Sequence, residues 1–368
     1  MQQPLSIKYR PKKLSDVIGQ DVVTKSFTNA FKNNSMHHAY ILAGQFGTGK
    51  TTVARIVAAM ENCEKGRTLN PCGKCTNCKE IFSGKSFEVQ EKDAASNRGI
   101  EDVRNINKEI YHCPINCRTK YIILDEAHRL TGGAGEAALK MIEEPPEFVK
   151  FIFATTELHR IKDTIRSRCI MFKFNKVDWR SMYTNLKQIV EKENIECDDE
   201  ALSIASKVAK GSVRNSLQNL QTMVNYVGNE KITAEDAKKA MGTVSEKVYF
   251  ELINSIFEGQ THRAFLNINS ILKDGKDAGV IIDNLYLYIN NLMIAFLSKD
   301  KMKDLNFSES EIKRYLYQKK QITSGEVLCD MLSYMVDVSK GLKLNMNPEV
   351  LLNQFVVNSI ISVIKNKK

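Results

Sequence analysis

Gly44-Gln45-Phe46-Gly47-Thr48-Gly49-Lys50-Thr51 satisfies the pattern G-x-x-x-x-G-K-[ST] at every position. The apolar run Tyr40-Ile41-Leu42-Ala43 leads in and predicts a buried strand, and Thr52 to Met60 leads out and predicts a helix. That strand–loop–helix context is what a phosphate-binding loop requires. The glycines let backbone N–H groups curl around a β-phosphate, which also meets the positive end of the helix dipole. Lys50 then reaches the β- and γ-phosphates, Thr51 holds Mg²⁺, and Thr52 follows on the same turn.

The chain has 368 residues, enough for two or three domains, and is 43% hydrophobic and 26% charged, an ordinary globular balance. No apolar run reads as a membrane span and the N-terminus lacks a signal-peptide core, so a cytoplasmic protein is expected. The net charge of +10 suits an anionic partner such as nucleic acid. Nine cysteines in such a chain point to metal or free thiols rather than disulfides.

Upstream of the loop, Lys8-Tyr9-Arg10-Pro11 opens a mixed basic and apolar arm running to Val17-Ile18-Gly19-Gln20. Such an arm suits packing over an adenine ring, through Arg10, Val17 and Ile18, or an ordinary domain edge. Asp21 to Lys32 predicts a helix with Val22, Val23, Phe27, Ala30 and Phe31 as its apolar stripe. Downstream, Cys63, Cys72, Cys75 and Cys78 follow C-x8-C-x2-C-x2-C, which suits a closed tetrahedral Zn²⁺ site without catalysis. Phe87 to Glu91 predicts a strand, and Ser96, Asn97 and Arg98 precede a helix carrying Val103, Ile106 and Ile110. Those three residues suit either a phosphate contact or helix capping.

A second anchor is Tyr121-Ile122-Ile123-Leu124-Asp125-Glu126, a buried strand ending in two carboxylates. Asp125 is placed to bind Mg²⁺, and Glu126 to polarise the water attacking a γ-phosphate. Ala134 to Glu144 predicts a helix stopped by Pro145-Pro146, and Phe151 to Ala154 a strand ending at Thr155-Thr156. A polar residue there lies where a γ-phosphate or attacking water sits. Arg166 and Arg168 precede a last strand, Ile170 to Phe174; either is a surface charge, or one points at a neighbouring subunit's nucleotide. From Asp178 onward the pattern is helical: stripes through Trp179, Met182, Leu186 and Ile189, through Ala201, Ala205, Val208 and Ala209, and through Val213, Leu217, Leu220 and Val224, then a capping box at Thr233. Met241 to Val244 reads as a boundary, and Ser245 to Lys368 as an all-helical region with Ile282, Leu285, Tyr286, Ile289, Leu292, Met293 and Phe296 on one face.

Together these stretches resemble AAA+ ATPases, and most closely the gamma/tau subunits of the bacterial DNA polymerase III clamp loader. The resemblance is carried by residues 8 to 169, including His37-His38-Ala39-Tyr40, the phosphate loop, the four cysteines, Asp93-Ala94-Ala95-Ser96, Asp125-Glu126-Ala127-His128, Glu143-Glu144-Pro145-Pro146, Ala154-Thr155-Thr156 and Ser167-Arg168-Cys169; Gly211-Ser212-Val213-Arg214 extends it. It implies an α/β P-loop ATPase domain over residues 1–177 with a zinc insert at about 61–80, a helical lid over 178–242 and a helical collar over 243–368. It also implies ATP, Mg²⁺ and Zn²⁺ as cofactors, Thr156 as the first sensor, Arg214 as the second, and Arg168 as a finger acting in trans. Residues after Ser96 and near Thr131 would face a primed template. The implied partners are other subunits of a ring-like hetero-oligomer, a pentamer by analogy, with a sliding clamp, primer–template DNA and single-stranded-DNA-binding protein.

Two departures stand out. Glu136-Ala137-Ala138-Leu139-Lys140, after the glycine-rich Gly132 to Gly135, replaces a run that the family usually opens with Asn. The chain also stops where a longer family form would continue, so it resembles a short, gamma-like or phage-encoded version. The rival readings are a non-catalytic loader subunit, a different AAA+ motor such as a branch-migration helicase, and a zinc-dependent nucleic-acid-binding module. Intact Lys50, Thr51, Asp125 and Glu126 argue against the first, and the cysteine insert with Ser167-Arg168-Cys169 against the second.

Overall fold

In the computed structural model of the chain, the described residues are 3–96, 99–130, 132–242, 246–273, 278–298, 309–322 and 324–366. They fall into two compact units, Met1–Ala237 and Lys238–Lys368.

The first unit is built on β1 (Ala39–Gly44), β2 (Val89–Asp93), β3 (Lys120–Asp125), β4 (Val149–Thr155) and β5 (Ile170–Phe174). All pairings are parallel, in the order β2-β3-β4-β1-β5. Helices cover both faces, which is why the central strands are apolar throughout rather than alternating. Tyr40, Leu42, Tyr121, Ile123 and Ile152 pack with the phosphate-loop helix Lys50–Asn62. Ile41, Ile122, Leu124, Phe151 and Phe153 pack on the opposite side, with helices Ile100–Glu109 and Gly132–Glu143. Register pairs Ala43 with Thr155 and Leu124 with Phe153. The phosphate loop, Asp125-Glu126 and Thr155-Thr156 therefore leave the sheet along one edge, at the carboxyl ends of the strands.

Local details differ from expectation. The strand expected at 87–91 starts at Val89, because Ser86 Oγ accepts the N–H groups of Glu88 and Val89 and holds the preceding residues in a turn; Phe87 is exposed. The helix expected from Ala134 begins at Gly132. Val22 and Val208 project into solvent rather than into their stripes. Asn97, Arg98 and Thr131 lie outside the described residues.

Helices Trp179–Glu193, Asp199–Val208, Val213–Val227 and Ala234–Ala240 follow the sheet. Asp178 accepts the Arg180 N–H, Ser212 that of Asn215, and Thr233 forms the expected capping box with Asp236. The N-terminal arm is tied to these helices. The Leu5 N–H donates to Gln221 Oε1 at 3.3 Å, Lys8 pairs with Glu193 at 2.6 Å, and the Tyr9 hydroxyl donates to Glu193.

The second unit comprises helices Glu246–Phe257, Thr261–Lys273, Ala278–Leu297, Glu309–Lys319, Gly325–Lys343 and Pro348–Lys365. Its core includes Ile253, Ile282, Leu285, Leu328, Met331 and Phe355. Helix Ala278–Leu297 corrects the expectation that no apolar run reaches membrane length: it is long and apolar enough to cross a membrane, by length and composition only. Its apolar side is spent on the helical core through Ile281, Ile282, Leu285, Tyr288, Ile289, Leu292 and Ala295, and Tyr288, not the expected Tyr286, faces inward.

Candidate nucleotide site and cysteine cluster

The loop backbone explains its glycines. A Cβ on Gly44 would come within 2.4 Å of the Phe174 carbonyl oxygen of β5, and Gly49 has φ +102°. Thr48 Oγ1 donates to the Gln45 carbonyl at 2.8 Å. Gln20 links the loop to the segment after β5: its Nε2 donates to the Thr48 carbonyl at 3.5 Å and to the Asn175 carbonyl at 2.9 Å, and its Oε1 accepts the Asn175 N–H at 3.1 Å. Lys50 is buried and donates to the Gly44 and Gln45 carbonyls at 2.8 and 3.0 Å. Burial pushes its pKa down, while Asp125 and Glu126 oppose that shift.

Opposite the loop, Thr51 Oγ1 donates to Asp125 Oδ2 at 2.9 Å. Glu126 has left-handed backbone, φ +48°, with its N–H donated to Asp125 Oδ1 at 2.9 Å. A non-glycine residue held there is a strained conformation of the kind concentrated at functional sites. Thr156 Oγ1 donates to Glu126 Oε2 at 2.9 Å.

Lys50, Thr51, Asp125 and Glu126 border a cavity of about 890 Å³. Phe46 to Thr52, Asp125 and Glu126 form one wall, Arg10, Val17 and Ile18 of the arm another, and Arg214 a third. The Arg214 guanidinium lies 5.0 Å from the Phe46 ring centroid, a cation–π contact, and the Arg214 backbone N–H donates to the Gly47 carbonyl at 3.4 Å. Arg10 Nε donates to Thr52 Oγ1 at 3.2 Å. Burial, then Arg55 and Arg214, brings the Arg10 guanidinium down to about 10, against the pull of Glu91 and Asp125. Crowded, desolvated cations of this kind suit a polyanionic ligand.

Not every expected residue borders the cavity. Gly44 and Gln45 act from behind it through their carbonyls, and Thr156 acts through Glu126. Arg168 is elsewhere: exposed, it pairs with Glu143 at 2.9 Å, donates to the Thr164 carbonyl at 2.9 Å, and borders a separate cavity with His37 and His38. Sequence reasoning passed over Glu157, and quoted His128 only within Asp125-Glu126-Ala127-His128, without a role.

The Sγ atoms of Cys63, Cys72, Cys75 and Cys78 lie within 4.8 Å of one another. A tetrahedron with Zn–S bonds of about 2.3 Å has sulfurs roughly 3.8 Å apart, so this all-thiol donor set fits zinc. The Cys75 and Cys78 N–H groups donate to the Cys72 and Cys75 sulfurs, each at 3.4 Å. N–H donors from Lys74 and then Cys75 hold the Cys72 thiol down at about 6, whereas burial pushes Cys78 up. A bound cation would bring both to thiolate.

A family model described as DNA polymerase III, delta subunit, matches residues 19–178, and one described as DNA polymerase III subunits gamma and tau domain III matches residues 232–333. The DNA polymerase III subunit gamma of Buchnera aphidicola subsp. Schizaphis graminum is 37% identical over 290 residues, covering 79% of this chain and 80% of that protein. The chain belongs to the gamma/tau family of DNA polymerase III subunits. Another family member, subunit tau of Bacillus subtilis, is 35% identical over 79% of this chain, and the chain spans 52% of that relative's length. A RuvB mutant from Thermotoga maritima matches with a TM-score of 0.50, at 19% identity over 68% of this chain and 80% of that one, a likeness of fold. The AAA+ P-loop architecture and the gamma/tau resemblance read from the sequence are both met.

Proposed function

We propose that this gamma/tau family chain is an ATP-hydrolysing clamp-loader subunit that couples nucleotide turnover to placing a sliding clamp on primed DNA. The observation that carries this reading is the convergence of Lys50, Thr51, Asp125 and Glu126 on one cavity, with Thr51 and Asp125 joined at 2.9 Å. The Phe46 to Thr52 backbone and Lys50 would cradle the phosphates of ATP, Arg214 would reach them from the lid, and Arg10, Val17 and Ile18 would flank the base. Thr51 and Asp125 would hold Mg²⁺, and the four cysteines Zn²⁺. Bound Mg-ATP supplies the phosphoanhydride whose cleavage drives the cycle. Glu126 accepts the proton of the attacking water, and Thr156 keeps its carboxylate turned toward the site.

In this reading residues 1–177, 178–242 and 243–368 act as ATPase domain, lid and collar in the cytoplasm. The partners are other loader subunits in a ring, pentameric by analogy, with the clamp, primer–template DNA and single-stranded-DNA-binding protein. Each ligand would have to favour one assembly state over another. The test is steady-state ATPase of the chain, alone and with partner subunits, adding primed DNA and then clamp. A low basal rate that rises with both is expected; a rate indifferent to both would overturn the reading.

Two further results are expected. Gly47 has φ +74°, and a Cβ there would lie 2.1 Å from Ser212 Oγ, so Gly47→Ala must displace the lid edge carrying Arg214. Overpacking of this kind costs about 1–3 kcal/mol, and if that cost falls on the bound state nucleotide affinity should drop by about 5- to 150-fold in a fluorescent-nucleotide titration. Arg168→Ala should lower ATPase only in the assembled complex. An equal loss in the isolated chain would contradict a role in trans, because within its own chain Arg168 is occupied by Glu143.

A further inference from the structure

The arm has a role in the reading above, but one buried titratable group beside Glu126 does not. His128 sits in the short turn Ala127–Arg129 that follows the left-handed Glu126. Its side chain is 3% exposed. Nδ1 lies 3.3 Å from Glu126 Oε2 and 3.0 Å from Thr155 Oγ1, and Nε2 lies 3.3 Å from Glu157 Oε1. Thr155 Oγ1 also accepts the Glu157 N–H at 3.0 Å. The ring is thus held by the ends of two strands, β3 and β4, and finds an acceptor whichever nitrogen carries the proton.

We infer that His128 is a positioning residue for Glu126, helping Thr156 to fix one oxygen of the carboxylate. Thr156 Oγ1 and His128 Nδ1 both address Oε2, at 2.9 and 3.3 Å. That arrangement leaves Oε1 to take the proton from water. A glutamate side chain left unheld samples several rotamers, and misplacement of a reacting group by about 1 Å costs on the order of 100-fold in rate. Glu157 anchors the outer ring nitrogen and is itself paired with Arg160 at 2.9 Å. This inference rests on the reading of Glu126 as the base of an ATPase.

The test compares His128→Ala, His128→Asn and His128→Gln in the full chain, measuring kcat, nucleotide affinity and melting temperature. His128→Ala should lower kcat by about 10- to 100-fold with affinity unchanged. His128→Asn, whose amide nitrogen takes the place of Nδ1, should recover most of that loss, and His128→Gln, which reaches toward Glu157, much less. Unchanged kcat in His128→Ala, or equal loss in all three variants with lower affinity and melting temperature, would overturn the inference. A second measurement does not depend on turnover. In the ¹⁵N-histidine-labelled chain, the ring signals that disappear in His128→Ala belong to His128, and Glu126→Gln should shift them. Unmoved ring signals would overturn the inference even if the chain hydrolyses ATP. A wild-type chain that hydrolyses nothing would overturn the ATPase reading, while the ring shift would still decide the contact.

Discussion

Glu126→Gln should leave ATP affinity near wild type and lower single-turnover hydrolysis by about 10²–10⁴-fold, the usual worth of a positioned general base. Glutamine is nearly isosteric with glutamate, so the left-handed backbone and the Glu126 N–H bond to Asp125 Oδ1 impose no new strain on it. Its amide oxygen still accepts from Thr156 Oγ1, which now donates to Oε2 at 2.9 Å. Thr51 Oγ1 still donates to Asp125, and Lys50 keeps its place behind the loop. Only the basic lone pair is lost. A variant that removes Lys50 would instead weaken binding as well, since its ammonium is the buried cation of the phosphate wall. Turnover near wild type in Glu126→Gln, with ATP bound, would remove Glu126 from the chemistry.

The parts of this site that were legible in the sequence are those whose chemistry is contiguous along the chain. The phosphate loop carries its own strand, turn and helix, and Asp125-Glu126 ends a run of four apolar residues that can only be a buried strand. His128 was illegible for the converse reason. Its partners Glu126, Thr155 and Glu157 lie at the ends of β3 and β4, and only the pairing of Leu124 with Phe153 brings them together. The Gly132 to Gly135 run misled in a different way. Glycine disfavours a helix interior by about 1 kcal/mol, so the expected helix began after the first glycines. In the fold a Cβ on Gly133 would stand 3.2 Å from Ile100 Cδ1, so the missing side chain lets this helix approach Ile100–Glu109. Packing decided the boundary against local propensity. Arg168 was legible as a charge near a strand, but no spacing pattern announced that Glu143 would hold it within its own chain.

Stripping the metal with a chelator, or replacing Cys63 with Ser, should destabilise the first unit by about 4 kcal/mol or more, the range reached when a structural metal is lost. For a unit of this size that lowers the melting temperature by roughly 8–16 °C. The reason lies in what the cysteine segment fastens. Cys63 ends the phosphate-loop helix, and its carbonyl accepts from Arg118 Nη1 at 2.9 Å. The neighbouring Asn62 Oδ1 accepts the N–H groups of Arg118 and Thr119, each at 3.0 Å. Asn77, between Cys75 and Cys78, donates to the Asn62 and Asn116 carbonyls at 3.0 and 2.7 Å. The cluster therefore clamps the far end of the helix that begins at Lys50 to the segment leading into β3, the strand that delivers Asp125. Losing it should loosen both sides of the nucleotide cavity at their roots. Nucleotide affinity should fall along with the melting temperature, and both should return when zinc is restored to the chelated protein. The natural protein, purified gently, should carry one zinc per chain. Four alkylatable thiols in the folded chain with no bound metal, or a melting temperature indifferent to chelation, would show that thiol packing alone holds this clamp.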